Sequence, residues 1–230
     1  MALGAPPLAW FCAAAWPVFT PPLTKRLMGI YDTFILPRLT HLAMGHRMLT
    51  PLRERAVAGA AGEVLELGVG SGLNLPYYDA GVLRLVGIDT SAPLVEMALR
   101  RASALRYPAN ILQASAEDLP FADRSFDTVV VTWTLCSVGD VRKVLREVKR
   151  VLRPGGRLHF AEHGQAPDRN IRIWQERITP LWRLCAGNCH LDRPTATLLT
   201  EGGFDVENLS TGYLPGPKPL TFMYEGRARL

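Results

Sequence analysis

"EVLELGVGSGLNLPYY", residues 63–78, decides how this chain is read. Residues 64–67 are an apolar run broken only by Glu66, of the kind that forms a short buried strand. Gly68, Gly70 and Gly72 then interrupt it at alternate positions. Glycine there permits a tight turn and lets a ligand approach the main chain. A glycine-rich loop after a strand is the usual seat of a nucleotide-bearing ligand. Tyr77 and Tyr78 are expected to open a helix after the loop and to serve in packing.

Outward from the loop, strand and helix patterns alternate. "LRLVGID" is a second strand ending in Asp89, "APLVEMALRRASALR" a helix, and "NILQAS" a third strand. The β-branched centre of "SFDTVVVTWT" suits a fourth strand buried on both faces. Asp140 can cap the helix "VRKVLREVKRVLRPGG", whose Val141, Val144, Leu145, Val148, Val151 and Leu152 form one apolar stripe. Pro154, Gly155 and Gly156 are expected to end that helix ahead of the fifth strand, "RLHFAEH". "GFDVENLSTGYL" and "TFMYEGRARL" close the pattern as two strands. The expectation is an α/β fold: a doubly wound, mainly parallel, seven-stranded sheet with right-handed crossovers. A helical cap, with breaks at Pro37 and Pro51, precedes the first strand. The chain divides into an apolar arm over residues 1–27 and one domain over residues 28–230.

Composition narrows the function. With 230 residues, 48% hydrophobic and 20% charged, the chain can bury one sizeable α/β core and is not a disordered one. The net charge of +5 is read as a solvated basic surface, because no basic patch interleaved with aromatics points to nucleic acid. Cys12, Cys136, Cys185 and Cys189 make no disulfide framework, which suits a reducing, cytoplasmic setting. Cys185, Cys189 and His190 lie close together, but no second ligand pair follows, so no metal is expected. The arm carries Trp10, Trp16 and five prolines, and meets its first charges at Lys25 and Arg26. Its clean apolar run is shorter than the roughly 20 residues that span a bilayer. It fits both a peripheral membrane anchor and a segment folded over the domain.

The loop spacing is G-x-G-x-G, against G-x-G-x-x-G for dinucleotides, and no Walker lysine follows. Glu66 would sit poorly beside a pyrophosphate. S-adenosyl-L-methionine removes that conflict, since it has no phosphate and carries an ammonium and a sulfonium against one carboxylate. Asp89, about twenty residues on, is placed for both ribose hydroxyls.

"VLELGVGSG", "GID", "AEDLPFADRSFD" and "LRPGGRLHFAEH" resemble the class I S-adenosylmethionine-dependent methyltransferases, in the branch of quinone-biosynthesis enzymes. "TLCSV", "EH" (Glu162, His163) and "WQERITPLWRL" are similar to the methyltransferase-like seven group of thiol methyltransferases. The resemblance implies that Glu66, Gly68, Gly70 and Gly72 hold the methionine end and that Asp89, with Thr90 beside it, takes the ribose. Ser115, Ala116 and Glu117 would border the adenine, Thr132 would close the pocket, and Tyr31 would belong to a lid. Many relatives carry an aspartate at the position of Ser115. A serine offers no charge there, so backbone groups near Ala116 would share the recognition.

Methyl transfer from a sulfonium is an in-line displacement whose rate comes mostly from orientation and desolvation. His163, just past the fifth strand, is the candidate base or orienter, against a satisfied loop histidine. Trp133, Trp174 and Trp182 are candidates for an apolar acceptor pocket, against ordinary core packing. The expected acceptor is a small, apolar molecule, with a thiol first and a membrane lipid amine or quinone precursor second. The loop spacing and Glu66 argue against a nicotinamide-dependent reductase, and the presence of both Glu66 and Asp89 argues against a non-catalytic binding protein.

Overall fold

Seven strands pair in the order β3-β2-β1-β4-β5-β7-β6 in the computed structural model, which describes residues 29–230. The arm expected over residues 1–27 lies outside the described residues. The strands are β1 (Gly62–Leu67), β2 (Val82–Asp89), β3 (Ala109–Gln113), β4 (Phe126–Thr132), β5 (Leu152–His163), β6 (Asp205–Tyr213) and β7 (Phe222–Arg229). The first five run parallel, while β7 is antiparallel to both β5 and β6. The seven-stranded, mainly parallel sheet read from the sequence is therefore the sheet that forms.

Val129, Val130 and Val131 of β4 are fully buried because helices or loops cover both faces of the central sheet. Side chains of this type each contribute about 1.5–3 kcal/mol on full burial. One core face gathers Leu65, Leu67, Val131, Leu158 and Phe160 with the apolar stripe of the helix Val141–Val151. The other packs Val64, Leu75, Leu85 and Val130 against Val95 and Ala98 of the helix Ala92–Ala102.

The cap comprises a π-helical turn (Tyr31–Ile35), α1 (Leu36–Met44), a 3-10 turn (Arg47–Leu49) and α2 (Thr50–Val57). Pro37 and Pro51 stand in the first turns of α1 and α2, so they start helices where breaks were expected. The missing N–H costs nothing at a first turn. The further helices are α3 (Ala92–Ala102), α4 (Val141–Val151), α5 (Arg169–Cys185) and α6 (Thr195–Glu201).

Two local expectations are corrected. Tyr77 and Tyr78 do not open a helix; a single 3-10 turn (Leu75–Tyr77) leads directly toward β2. Pro76 and the Asp79 turn, whose carboxylate accepts the Gly81 N–H at 2.9 Å, leave no length for more. The strand β5 begins at Leu152 and takes in Pro154, Gly155 and Gly156, which were expected to lie outside it.

Candidate active site

The chain leaves β1 for β2 on one side of the sheet, and β4 lies on β1's other side. The crevice at the carboxyl ends of strands that diverge in this way is the ligand site of open α/β sheets. A cavity of about 730 Å³ occupies it, walled by the glycine loop, Asp89, residues 113–117, 132–134 and 137–139, with Asp32, Thr33, Leu36 and Pro37 of the cap also lining it.

The three glycines do different things. Gly68, at φ +67°, must lack a side chain because a Cβ would collide with the Thr134 hydroxyl where β1 and β4 end. Gly70, at φ +54°, presents open backbone to the cavity, with nothing nearer to a built Cβ than the Gly68 carbonyl at 3.9 Å. Gly72 packs: its Cβ would press on Leu75 at 2.8 Å and Ala98 at 3.1 Å.

Asp89 lines the cavity with its carboxylate tethered, Oδ2 accepting the Gly70 N–H at 3.0 Å and Oδ1 the Ser91 N–H at 2.8 Å. Each oxygen keeps a lone pair for a further donor. Burial raises its pKa, while the Ser91 and Gly70 N–H groups pull it back down. Thr90 lines the cavity beside it, its carbonyl accepting from Gln113 at 3.0 Å. Ser115 Oγ accepts the Glu117 N–H at 3.1 Å, and Glu117 Oε1 accepts the N–H groups of Gly139 and Asp140 at 2.9 and 3.0 Å. Ala116 and Thr132 complete the sequence-derived residues that the structure brings to the cavity wall.

Tyr31, Glu66, Gly72 and His163 are not on that wall. Tyr31 donates its hydroxyl to the Cys185 carbonyl at 2.6 Å, and its neighbours Asp32 and Thr33 face the cavity instead. Glu66 is buried behind Asn74, accepting the Asn74 amide at 2.7 Å and the Tyr78 hydroxyl at 3.0 Å. Burial pushes its carboxyl up to about 7; the Tyr78 and Asn74 bonds and the Arg53 charge oppose that rise. His163 is buried with both ring nitrogens engaged, Nε2 at the Leu220 carbonyl and Nδ1 at 3.6 Å from Cys189 Sγ. That placement does not bring its imidazole to the cavity.

Arg53 and Asn74 line the cavity without having been singled out from the sequence, whereas Trp133, a candidate for the acceptor pocket, is on the wall and Trp174 and Trp182 are not. Arg53 of α2 donates to Asn74 Oδ1 and to the Met44 carbonyl, both at 2.7 Å, and lies 4.8 Å from the centre of the Trp133 ring. Asn74 also donates to Thr132 Oγ1 at 2.9 Å, so one amide ties together cap, glycine loop and β4. Its signal was a polar residue inside the apolar "GLNLP" run. Trp133 holds φ +49°, a conformation costing about 1–3 kcal/mol in a non-glycine residue. The turn after it is clamped by Glu162, whose carboxylate accepts the N–H groups of Thr134, Leu135 and Cys136 at 2.8, 3.0 and 3.1 Å. Arg193 secures the same turn through the carbonyls of Leu135 and Val138. These bonds give physical content to the "TLCSV" and "EH" stretches.

Among the described residues, the ionisable ones on the wall are Asp32, Asp89 and Glu117 with the one cation Arg53. A diphosphate would meet mostly like charge there. A ligand bearing cationic groups, a vicinal diol and one carboxylate fits this donor set, and the open backbone at Gly70 leaves room for it.

A family model described as a methyltransferase domain matches residues 65–160. Human thiol S-methyltransferase TMT1A is 32% identical over 201 residues, covering 85% of this chain and 78% of that protein. The chain belongs to the S-adenosylmethionine-dependent methyltransferases. Rat thiol S-methyltransferase TMT1B is 40% identical over 144 residues, and the match spans only 58% of its length. A demethylmenaquinone methyltransferase of Clavibacter sepedonicus is 39% identical over 140 residues, covering 58% of this chain and 57% of that one. Among solved structures, a methyltransferase from Methanosarcina mazei superposes with a TM-score of 0.59 at 22% identity, covering 80% of this chain and 96% of that one. That likeness shows the class I methyltransferase fold. For a methyltransferase of this fold the cofactor is S-adenosylmethionine.

Proposed function

We propose that this methyltransferase moves the methyl group of S-adenosylmethionine to a small, apolar thiol. The observation that carries the reading is the cavity wall under the cap, whose lining includes a buried guanidinium and an indole, while His41 of the cap is engaged by Ser71 Oγ at 2.8 Å and is not among the described lining residues. Arg53 and Trp133 lie there beneath Leu36, Pro37 and Met44 of the cap. A thiol ionises near pH 8.5, so a cation close to the sulfur is enough to favour the thiolate. Acceptors that hold their proton more tightly need a positioned base. Thiol transfer is also what the names of the TMT1 relatives state of those proteins.

The cofactor, when bound, supplies an electrophilic methyl on a sulfonium. In this reading Asp89 holds the ribose hydroxyls, and Ser115, Ala116 and Glu117 border the adenine. Gly68 and Gly70 would admit the methionine end, with Asn74 beside them on the wall. Glu66 acts through Asn74, fixing that amide and balancing the Arg53 charge. Leu36, Pro37 and Met44 exclude water above the reacting atoms, and alignment then contributes most of the rate.

A second reading, transfer to a lipid or quinone precursor held in a membrane, is favoured by the cap surface. Phe34, Leu39 and Leu42 are 56, 49 and 71% exposed, and Leu181 and Leu184 of α5 are 71 and 60% exposed. Both elements adjoin the cleft. Among the described residues no helix is long and apolar enough to cross a membrane; in this reading the exposed cap surface and residues 1–27 make the contact.

The test offers purified protein methyl-labelled cofactor with a small alkyl thiol in one arm and a demethylated quinol in vesicles in the other. Label on the thiol supports the first reading; label only on the quinol replaces it with the second. Flotation of the full chain with vesicles, lost on deleting residues 1–27, would attach the arm to membrane contact. Failure of the full chain to float would remove membrane contact from the account.

A further inference from the structure

We infer that Cys136 and Cys189 are a peroxide-reactive pair that closes into a reversible disulfide behind the cleft wall. The two sulfurs lie 3.7 Å apart although the residues are 53 positions apart in sequence. One backbone and one side-chain hydrogen bond already hold the segments side by side. The His190 N–H donates to the Cys136 carbonyl at 2.7 Å, and the Asn188 amide donates to the Ser137 carbonyl at 2.7 Å. These bonds bracket the pair, so bringing the sulfurs to bonding distance, about 2.05 Å, needs a local shift rather than a rearrangement.

The surroundings favour attack by Cys189. Its sulfur faces Nδ1 of His163 at 3.6 Å, and the other ring nitrogen, Nε2, is engaged by the Leu220 carbonyl. The indole N–H of Trp182 is buried near that sulfur and has no hydrogen-bond partner among the described residues. The Cys136 thiol, the His163 ring and this indole hold the Cys189 thiol below its ordinary pKa against the effect of burial. Cys136 is raised, first by its bond to Cys189 and then by burial. Cys189 is partly exposed and Cys136 buried, so the oxidant reaches Cys189 first. Cys185 is exposed but has only carbonyl neighbours for its sulfur.

The chemistry balances with hydrogen peroxide as the oxidant. The Cys189 thiolate attacks one peroxide oxygen, the O–O bond breaks, and the leaving hydroxide takes a proton to become water. Cys136, giving up its proton, then attacks the sulfenic sulfur of Cys189, and the S–O bond breaks with loss of a second water. Two thiols and one peroxide thus become one disulfide and two waters. The bond would tie the turn of Thr134 and Ser137 to the segment of Ala186 and Gly187, all four of which line the cavity.

The test treats reduced, full-length protein with hydrogen peroxide, caps free thiols with iodoacetamide and maps tryptic peptides by mass spectrometry. The expected result is a peptide pair linked through Cys136 and Cys189, two hydrogens lighter than its reduced parts and released by dithiothreitol. Cys185 and Cys189 share one tryptic peptide, so the same map in Cys185→Ser must keep the link. Cys136→Ser should instead leave a sulfenic acid at Cys189 that dimedone traps. His163→Gln should slow closure about tenfold by lowering the thiolate fraction. Recovery of Cys136 and Cys189 both alkylated, or a link made through Cys185, would overturn the pairing. An unchanged rate in His163→Gln would overturn the role of His163 in activating Cys189.

Discussion

Asp89 and Glu66 sit at adjoining strand ends, one facing the cavity and one behind it. Asp89 is held by the Gly70 and Ser91 N–H groups with lone pairs to spare. Asp89→Ala should weaken S-adenosylmethionine binding by about 1.5–3 kcal/mol, the worth of hydrogen bonds to a charged group. Calorimetry reads this directly, and an unchanged Kd would remove Asp89 from the ribose. Glu66 lends itself to a pH experiment. Its folded pKa is about 7, above the ordinary carboxylate value. The unfolded chain therefore releases this proton first, and stability falls as pH rises from about 4.5 to 7. Glu66→Gln keeps an acceptor for Asn74 and cannot ionise. Without cofactor, its Tm should match the wild type near pH 4.5 and exceed it by pH 8; a constant difference across that window would contradict the assignment. Asp89 was legible because a lone carboxylate at a strand end, twenty residues past a glycine loop, has few other uses. Arg53 was not, because one arginine among many in a helical cap carries no periodic or motif signal; only folding places it over Trp133.

At the scale of elements, α4 shows how local sequence sets a boundary that the site then uses. Asp140 accepts the Lys143 N–H at 3.0 Å as an N-cap, while Glu117 holds the N–H groups of Gly139 and Asp140. Asp140→Ala should cost about 1 kcal/mol in urea unfolding, the usual loss of such a cap. No change would mean that Glu117 alone fixes this end. The strand at residues 126–132 and the α4 stripe were legible because a β-branched run and a 3.6-residue period are strong signals. The segment after Gly72 was not, since a glycine loop after a strand ordinarily opens a helix while Pro76 and Gly81 allow only a 3-10 turn. The prolines of the cap were misread because proline ends a helix or starts one according to which side the helix lies on. His163 follows the same logic: its place at the end of β5 was readable, but the carbonyl of Leu220 and the sulfur of Cys189 that occupy its ring come from distant sequence.

For the whole molecule, the cleft exists because the cap folds back over the switch point of the sheet. Arg55 of α2 reaches Glu225 of β7 at 2.7 and 2.9 Å, and His159 Nδ1 of β5 meets the Ala56 carbonyl at 3.0 Å. Arg55 is more than half exposed, so this ion pair contributes little stability by itself; the buried contacts of Leu52, Ala56 and Val57 hold the cap down. Sheet and order of elements were readable because they follow from patterns repeated along the chain, and the cofactor because the glycine loop and Asp89 form a local motif. The cap side of the cavity was not, since it is assembled from α1, α2 and the segments after β4 and α5. The measurement that tests the central claim most directly is the product formed by purified full-length protein from S-adenosylmethionine and a small alkyl thiol, identified by mass spectrometry, with Asp89→Ala as the control. The account predicts a methyl thioether whose yield rises with time and falls in the control; no thioether, with methyl transferred only to a quinol or lipid, would contradict it.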